Sequence, residues 1–472
     1  VCSDLLTGVP WEKGSDIWSV HPKGLQLLNA YIDGKLDLEG CYLLASFWLH
    51  SSKVVGNVIL MDATTRTVSF RRSHIQALNA ERSTVEGALH LQGLHANQGV
   101  NLRSAYIRGQ LACAGALLAN ENGAALNGGA LKVGTDVFLN EMFHAKGEVI
   151  LNRAEIGGGL SCAKAIFENE NRVTLSCGAL KVGANVSMRR GFRAKGEVNF
   201  GGAEIAGSFD CEDATFENKE GHALKCDSMW VGSDVILQNK FHALGIVNFI
   251  GAQVDGQLIC DGGIFENAKG TALNCDGLKV ASDVFLRNEF RATGEVNFIG
   301  ATIGGDFRCQ GGHFENANAL ALDLNSAKVS SGMFLSEVSS FKGDLDLRHA
   351  KATTFSDDER SWPQAGCVWL DGFSYDRFSE TRTDSRIRIE WLKRQPKKHL
   401  NEDYRPQPWA QLIKALREMG HDEDAKKIAF ERSNVVEQNM SWKCPMIFRK
   451  LFYKSFRITA GYGYYPSRTA YW

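Results

Sequence analysis

Apolar and polar positions alternate along most of this chain in short paired steps. In "VNFGGAEIAGSFDCEDATFEN", from Val198, the apolar residues are Val198, Phe200, Ala203, Ile205, Phe209, Cys211, Ala214 and Phe216. They come in pairs two apart, and successive pairs start five or six residues on. Two apart is one side of an extended strand, and the small residues between pairs, such as Gly201, Gly202 and Gly207, permit a sharp corner. Leu224, Cys226, Val231, Val235, Leu237 and Phe241 continue the pattern. Eight short faces then fill 49 residues, which predicts two four-sided coils of about 24 residues each.

The same spacing recurs throughout. Cys113, Cys162, Cys211, Cys260 and Cys309 lie 49 residues apart, as do Cys177, Cys226 and Cys275. The "FEN" phenylalanines (Phe167, Phe216, Phe265, Phe314), a second aromatic series (Phe143, Phe192, Phe241, Phe290) and the "LKVG"-like valines from Val133 to Val329 keep the step. Short strands, regular corners and no 3.6-residue period describe a chain winding about an axis, each strand pairing in parallel with its equivalent one coil on. The predicted fold is mainly β: a right-handed, quadrilateral parallel β-helix whose 49-residue repeat is two coils. It runs from residue 24 to residue 350 after an N-terminal cap at 1–23. Roughly thirteen coils at ~4.8 Å give a rod on the order of 60 Å long.

Repetition also decides how the chemistry-bearing residues are read, because a catalytic constellation is needed once and a structural device in every unit. The glycine clusters "EIGGGL" and "TIGGDF" are turns, since a phosphate loop must lead into a helix and no helical pattern comes after them. The cysteines sit in inward register with Leu and Phe and are expected to be buried thiols, their ladder too widely spaced for disulfides along the axis. Cys and His do not form close pairs of the C-x-x-C kind, so no metal site is expected. Asp136, Asp234 and Asp283 recur as a corner would require. The asparagines Asn120, Asn169, Asn218, Asn267 and Asn316 are expected to hydrogen-bond one another along the solenoid. His144, Arg193, His242 and Arg291 form an outer stripe that either is a solvated face or binds an anionic partner.

Charge separates the rod from the C-terminal third of the chain. From Lys351 onward there are 22 Lys plus Arg against 16 Asp plus Glu, a balance of +6, leaving 31 against 38, or −7, before it. A connector at 351–405 precedes a helical hairpin at 406–440, where Trp409, Leu412, Ile413, Leu416 and Met419 share one face and Gly420 is a stop. Asp422 then caps a second helix with Ala425, Ile428, Ala429 and Val435 inside. The segment 441–472 is a basic amphipathic tail. Phe448, Leu451, Phe452 and Phe456 fall on one helical face beside Arg449, Lys450, Lys454 and Arg457, a composition suited to the cytoplasmic surface of a bilayer. It has no run of 18 apolar residues. The opening "VCSDLLTGVPWEKGSDIW" has an early Asp and no long apolar run, so it does not read as a signal peptide.

Three motifs in order, "GAxIGGxLxCxGAxFEN…AL…LKVGxDVxL", "RIEWLKRQP…PQPWAQLIKALREMGHDEDAKKI" and "GYGYYPSRTAYW", resemble the bacterial proteins labelled membrane-associated oxidoreductases, related in coil pattern to pentapeptide-repeat proteins. The resemblance covers nearly the whole chain. It implies that the motif at Gly461 to Tyr465 leads toward transmembrane helices beyond Trp472. The family label implies a cofactor, yet this sequence carries no strand-bound G-x-G-x-x-G with its later acid and no flavin or haem motif, so none is expected. The leading expectation is a non-enzymatic β-solenoid scaffold at the inner face of a bacterial membrane, its faces binding a protein partner or self-associating. The alternatives are an enzyme on a β-helix scaffold, oxidoreductase or polysaccharide-acting, and a DNA mimic, for which −7 is weak acidity. Nucleic acid is not an expected partner.

Overall fold

A computed structural model of the chain describes residues 24–43, 45–439 and 446–465, with backbone only at 121, 122, 318 and 446–449. The chain is a mainly β parallel solenoid of about 15 turns, with 41% of residues in strands and 13% in helices. It divides into two compact units, one reaching Asn267 and including Ala272–Asn274, the other holding Ala268–Thr271 and everything from Cys275 onward.

In the first unit a single turn can be followed through Lys53–Val54, Val58–Ile59, Thr64–Thr65 and Val68–Ser69, after which His74 pairs in parallel with Lys53. Four two-residue strands per turn make the coil four-sided. Each side contributes a pair of inward residues two apart, so Val198, Phe200, Ala203, Ile205, Phe209, Cys211, Ala214 and Phe216 are fully buried, as the alternation predicts. The two aromatic series, each 49 residues in step, interleave into one stack. Ring centroids of Phe143, Phe167, Phe192, Phe216 and Phe241 succeed one another at 5.3–5.6 Å. Each such ring removes an aromatic surface from water, worth roughly 1.5–3 kcal/mol, and each tilted contact adds about 0.5–1.5 kcal/mol.

The repeat is not two equal coils. His144 pairs with Ile166, 22 residues on, and Ile166 with Arg193, 27 residues on; the same 22 and 27 recur from Arg193 to Thr215 to His242. Four of the five extra residues lie in the 11-residue strands Leu117–Asn127, Ile166–Ser176 and Thr215–Lys225, which pair with 7-residue neighbours through bulges. The FEN asparagines close these bulges: Asn120, Asn169 and Asn218 each donate from Nδ2 to the carbonyl four residues ahead, at 3.2, 2.7 and 2.8 Å. They do not bond to one another as the sequence suggested. Equivalent asparagines are two turns apart, ~10 Å, beyond any hydrogen bond. Opposite each bulge the shorter strand holds a glycine at φ 114–120° (Gly147, Gly196, Gly245). A Cβ on Gly245 would stand 2.2 Å from the Asn218 carbonyl oxygen, so no other residue fits the geometry.

The second unit winds in the same way, with Phe290, Phe314 and Phe341 stacked at 5.5 Å. Strand pairing runs on past the boundary read at Lys351. Lys351–Asp357 pairs with the preceding turn, and Ser374–Phe378 pairs with Lys351–Phe355, so the segment 351–405 is partly solenoid. Helices complete the chain: α1 (Ser385–Lys393), α2 (Lys397–Leu400), α3 (Gln407–Glu418), α4 (Asp422–Asn439) and α5 (Met446–Ala460). Gly420 at φ 84° ends α3 as its composition predicts, and Trp409, Leu412 and Leu416 are buried. Gln407 and Gln411 of α3 reach the last strand region, donating to the carbonyls of Phe373 and Tyr375, so the hairpin docks onto the end of the coil.

Candidate functional site

The corner carboxylates are committed to backbone. Asp136 Oδ1 accepts from Gly159 N, Asp234 Oδ1 from Gln257 N and Asp283 Oδ1 from Asp306 N, each at 2.8 Å and each joining one turn to the next. An acid needed for proton transfer must reach a substrate; these serve the corner instead. A second register of side chains does related work and is not singled out by the repeat motifs above. Asn79, Asn101, Asn127, Asn199, Asn248 and Asn297 each accept from the backbone N–H two residues ahead, and Asn101 Nδ2 donates to Asn79 Oδ1 at 3.1 Å. Its sequence signal is "VNF", repeated at Val198, Val247 and Val296.

The described thiols Cys113, Cys162, Cys177, Cys211, Cys226, Cys260, Cys275 and Cys309 are free and buried. Burial pushes the Cys113 thiol up to about 12 and holds Cys177, Cys211, Cys226, Cys275 and Cys309 well above the ordinary range. Thiolate, the nucleophilic and metal-binding form, is suppressed in this core.

The outer stripe is largely neutralised by neighbouring acids. His144 Nε2 lies 2.9 Å from Glu168 Oε2, and His242 Nε2 lies 3.5 Å from Glu266 Oε2. Arg193 is exposed. In the second unit Arg291 Nη2 is 2.5 Å from Glu289 Oε2, which also lies 3.3 Å from His313. Within the first unit His144, Arg193 and His242 are separated by intervening turns that carry Ile166 and Thr215 at the same register, so the stripe there is a mixed surface and not a continuous cationic edge. On another side of the first unit, Lys132–Glu155 (3.1 Å) and Lys181–Glu204 (2.9 Å) form a ladder of ion pairs on consecutive turns between Tyr106 and Trp230, in a groove of about 610 Å³.

The tail segment behaves differently from its reading as a free basic helix. The side chains of Phe448 and Arg449 lie outside the described residues. Lys450 is buried, and Arg457 Nη1 is 3.2 Å from the buried Glu437 Oε2, which also accepts from Tyr462 at 2.5 Å. Phe430 of α4 packs against Tyr462 and Tyr465. These contacts hold α5 through its cationic side. Its apolar side faces solvent: Leu451 is 50% exposed, Phe452 63%, Phe456 38% and Ile458 50%. Spaced at 451, 452, 456 and 458, they fall on one arc of the helix with Ser455 and Thr459. Lys454 is exposed at the edge of that arc.

One buried ion pair joins Arg388, the first residue of the "RIEWLKRQP" motif, to an acid outside every motif. Arg388 of α1 and Asp357, 1% and 2% exposed, meet with Nη2 to Oδ1 at 2.8 Å and Nη1 to Oδ2 at 3.2 Å. Trp362 Nε1 also donates to the carboxylate (2.7 Å), the single Thr381 hydroxyl proton is shared between the Asp357 backbone carbonyl and Oδ1 (3.0 Å), and Arg388 Nε donates to the Arg382 carbonyl at 2.7 Å. The guanidinium lies over Phe378 at 4.4 Å. Four donors of the guanidinium and both carboxylate oxygens are bonded and the pair is buried, which identifies it as the clasp of α1.

Among the described residues no group of three or more His, Cys, Asp or Glu is placed to hold a metal ion, and no helix is long and apolar enough to cross a membrane. No family model, curated protein or solved structure matches the chain. The likeness to proteins labelled oxidoreductases therefore rests on the three sequence motifs alone.

Proposed function

We propose that this protein is a non-enzymatic β-solenoid scaffold, tethered to the inner face of a bacterial membrane through α5, whose faces bind a protein partner or a second copy. The observation that carries the tether is the uncovered apolar arc of α5. Four large apolar side chains in water on one helix are unfavourable by on the order of 1 kcal/mol each, and a bilayer's headgroup boundary relieves that cost for a helix lying in its plane. With Lys450 buried and Arg457 paired to Glu437, the attraction to lipid comes mainly from apolar area, assisted by Lys454 and any anionic surface it meets. The regular ladders elsewhere, with carboxylates spent on corners and thiols suppressed, suit recognition surfaces better than catalysis.

Flotation with liposomes tests the tether. The full chain should float, and Phe452→Asp with Leu451→Asp should abolish flotation without changing the melting temperature, since both side chains are exposed. If that double variant, or a chain ending at residue 441, floats as well as the intact protein, the tether lies elsewhere.

A further inference from the structure

We propose that a groove in the first unit binds a phosphate- or sulfate-type oxyanion, clamped between Arg103 and Arg153. The groove, about 640 Å³, is lined by these arginines with Ser104 and Asn152, and includes Gly129 and Ala130. Asp and Glu do not occur in its lining. The pairing register sets Arg103, Gly129 and Asn152 on successive turns, with Ser104, Ala130 and Arg153 beside them. The two arginines are thus two turns apart, ~10 Å along the axis, and the turn between them carries only a hydrogen and a methyl group. Among the described residues no side chain fills the space between the two guanidinium groups.

Charge balance distinguishes this pair from its neighbours. Arg82, one turn before Ser104, is held by Asp62 through two bonds of 2.8 and 2.7 Å, and Arg108 by Glu86 at 2.7 Å. Among the described residues Arg103 and Arg153 have no carboxylate partner. Two unpaired cations facing one groove repel, and an anion between them reverses the sign of that interaction. The neutral groups are also arranged as donors. Asn152 Oδ1 accepts from Ser176 Oγ (3.0 Å) and Gly178 N (2.7 Å), which fixes the amide and leaves its NH₂ as the group to offer. Ser104 adds a hydroxyl. Two guanidinium forks, an amide and a hydroxyl supply more donors than a carboxylate's two oxygens accept, whereas a tetrahedral oxyanion uses them. The groove is large enough for the organic part of a phosphate or sulfate ester.

Isothermal titration of the 472-residue chain with inorganic phosphate and pyrophosphate at low salt tests this. One saturable site is expected, weakened at least ten-fold, about 1.4 kcal/mol, by Arg103→Ala or by Arg153→Ala. Ala130→Glu should abolish binding by setting a carboxylate between the arginines. Ala130 has φ 54°, and Arg82 and Arg153 occupy the same turn position at 55° and 56°, so a long side chain suits that backbone. Unchanged melting temperatures confirm that the variants fold. Given binding in solution, weaker flotation of Arg153→Ala than of wild type with phosphatidic acid vesicles assigns the site to a lipid headgroup, and equal flotation assigns it to a soluble phosphate compound. Absence of saturable binding of both anions up to about 10 mM, or binding unaffected by all three substitutions, overturns the proposal. Neither outcome bears on α5, whose test uses other residues.

Discussion

Arg388→Met is the substitution whose cost the structure specifies most closely. Methionine replaces the stem and can lie against Phe378 and Trp391, so little volume is lost. The charge goes, however, and Asp357 is left 2% exposed with only the Trp362 and Thr381 donors to satisfy its carboxylate. Breaking a buried pair from one side costs about 3–5 kcal/mol, and the two surviving donors place the expected loss near the lower end, about 3 kcal/mol. Against a total stability of about 5–15 kcal/mol that is a large fraction. Asp357→Asn in the same chain should recover most of it, because the amide oxygen still accepts from Trp362 and no buried charge remains; a coupling of roughly 2 kcal/mol is expected from the cycle. Urea unfolding monitored by tryptophan fluorescence reads it directly, since Trp362 and Trp391 adjoin the pair. A loss below about 0.5 kcal/mol for Arg388→Met, or a double variant as unstable as the single, would refute the clasp.

Asp323 is 4% exposed, and burial raises its carboxyl to about 6, with Asp346 and Glu295 adding to the shift and the Asn325 N–H and Arg348 opposing it. A carboxyl raised in the folded state is stabilising when protonated, so this group should add stability as pH falls through 6 toward about 4 and lose it as pH rises back through 6; Asp323→Asn should flatten that part of the profile and stabilise at pH 8 by at most about 3 kcal/mol, and an unchanged profile contradicts the assignment. Phe249→Asp buries a charge without a partner and should cost several kcal/mol, whereas Arg291→Ser, which removes one exposed pair with Glu289, should stay within about 0.5 kcal/mol; equal melting-temperature losses would reverse inside and outside. Alkylation and mass spectrometry should find Cys162, Cys211, Cys260 and Cys309 unmodified until denaturation, and rapid native labelling of these four would contradict their burial.

What was legible in the sequence was what repeats. A period of 49 residues with apolar positions two apart is enough to assign Val198, Phe200, Phe209 and Cys211 to the interior, because in a solenoid the same position meets itself, turn after turn, and one alternation decides a whole ladder. The unequal 22 and 27 were hidden, since a bulge inserts residues without disturbing the 49-residue sum; Asn169 was one rung of the FEN series, and nothing in that series pointed to Gly196 opposite the bulge. The contacts of Arg388 with Asp357 and of Arg457 with Glu437 were illegible for a different reason. Each joins residues 20 or more apart with no periodic register to predict the meeting, and a helical wheel for α5 shows which face is cationic but not which face is packed.

That division bears on where function is to be sought. A ladder position is occupied in every turn, so whatever a side chain does there is done for the stack: Asp136, Asp234 and Asp283 hold corners, and the aromatic rings fill the interior. Recognition of one ligand or one partner needs a place that differs from the places above and below it. The outer register supplies few. Arg103 and Arg153 differ from Arg82 and Arg108 in forming no ion pair, Glu81 on the turn before Arg103 being taken up by Arg82 and Asn101, and the turn between them carries glycine and alanine where a longer side chain would fit. The exposed arc of α5 differs from every inward-facing helix position in having nothing over it among the described residues. In a fold made of repetition the informative residues are those at which a ladder is interrupted, and substitutions there should change binding while leaving the melting temperature where the uninterrupted ladders set it.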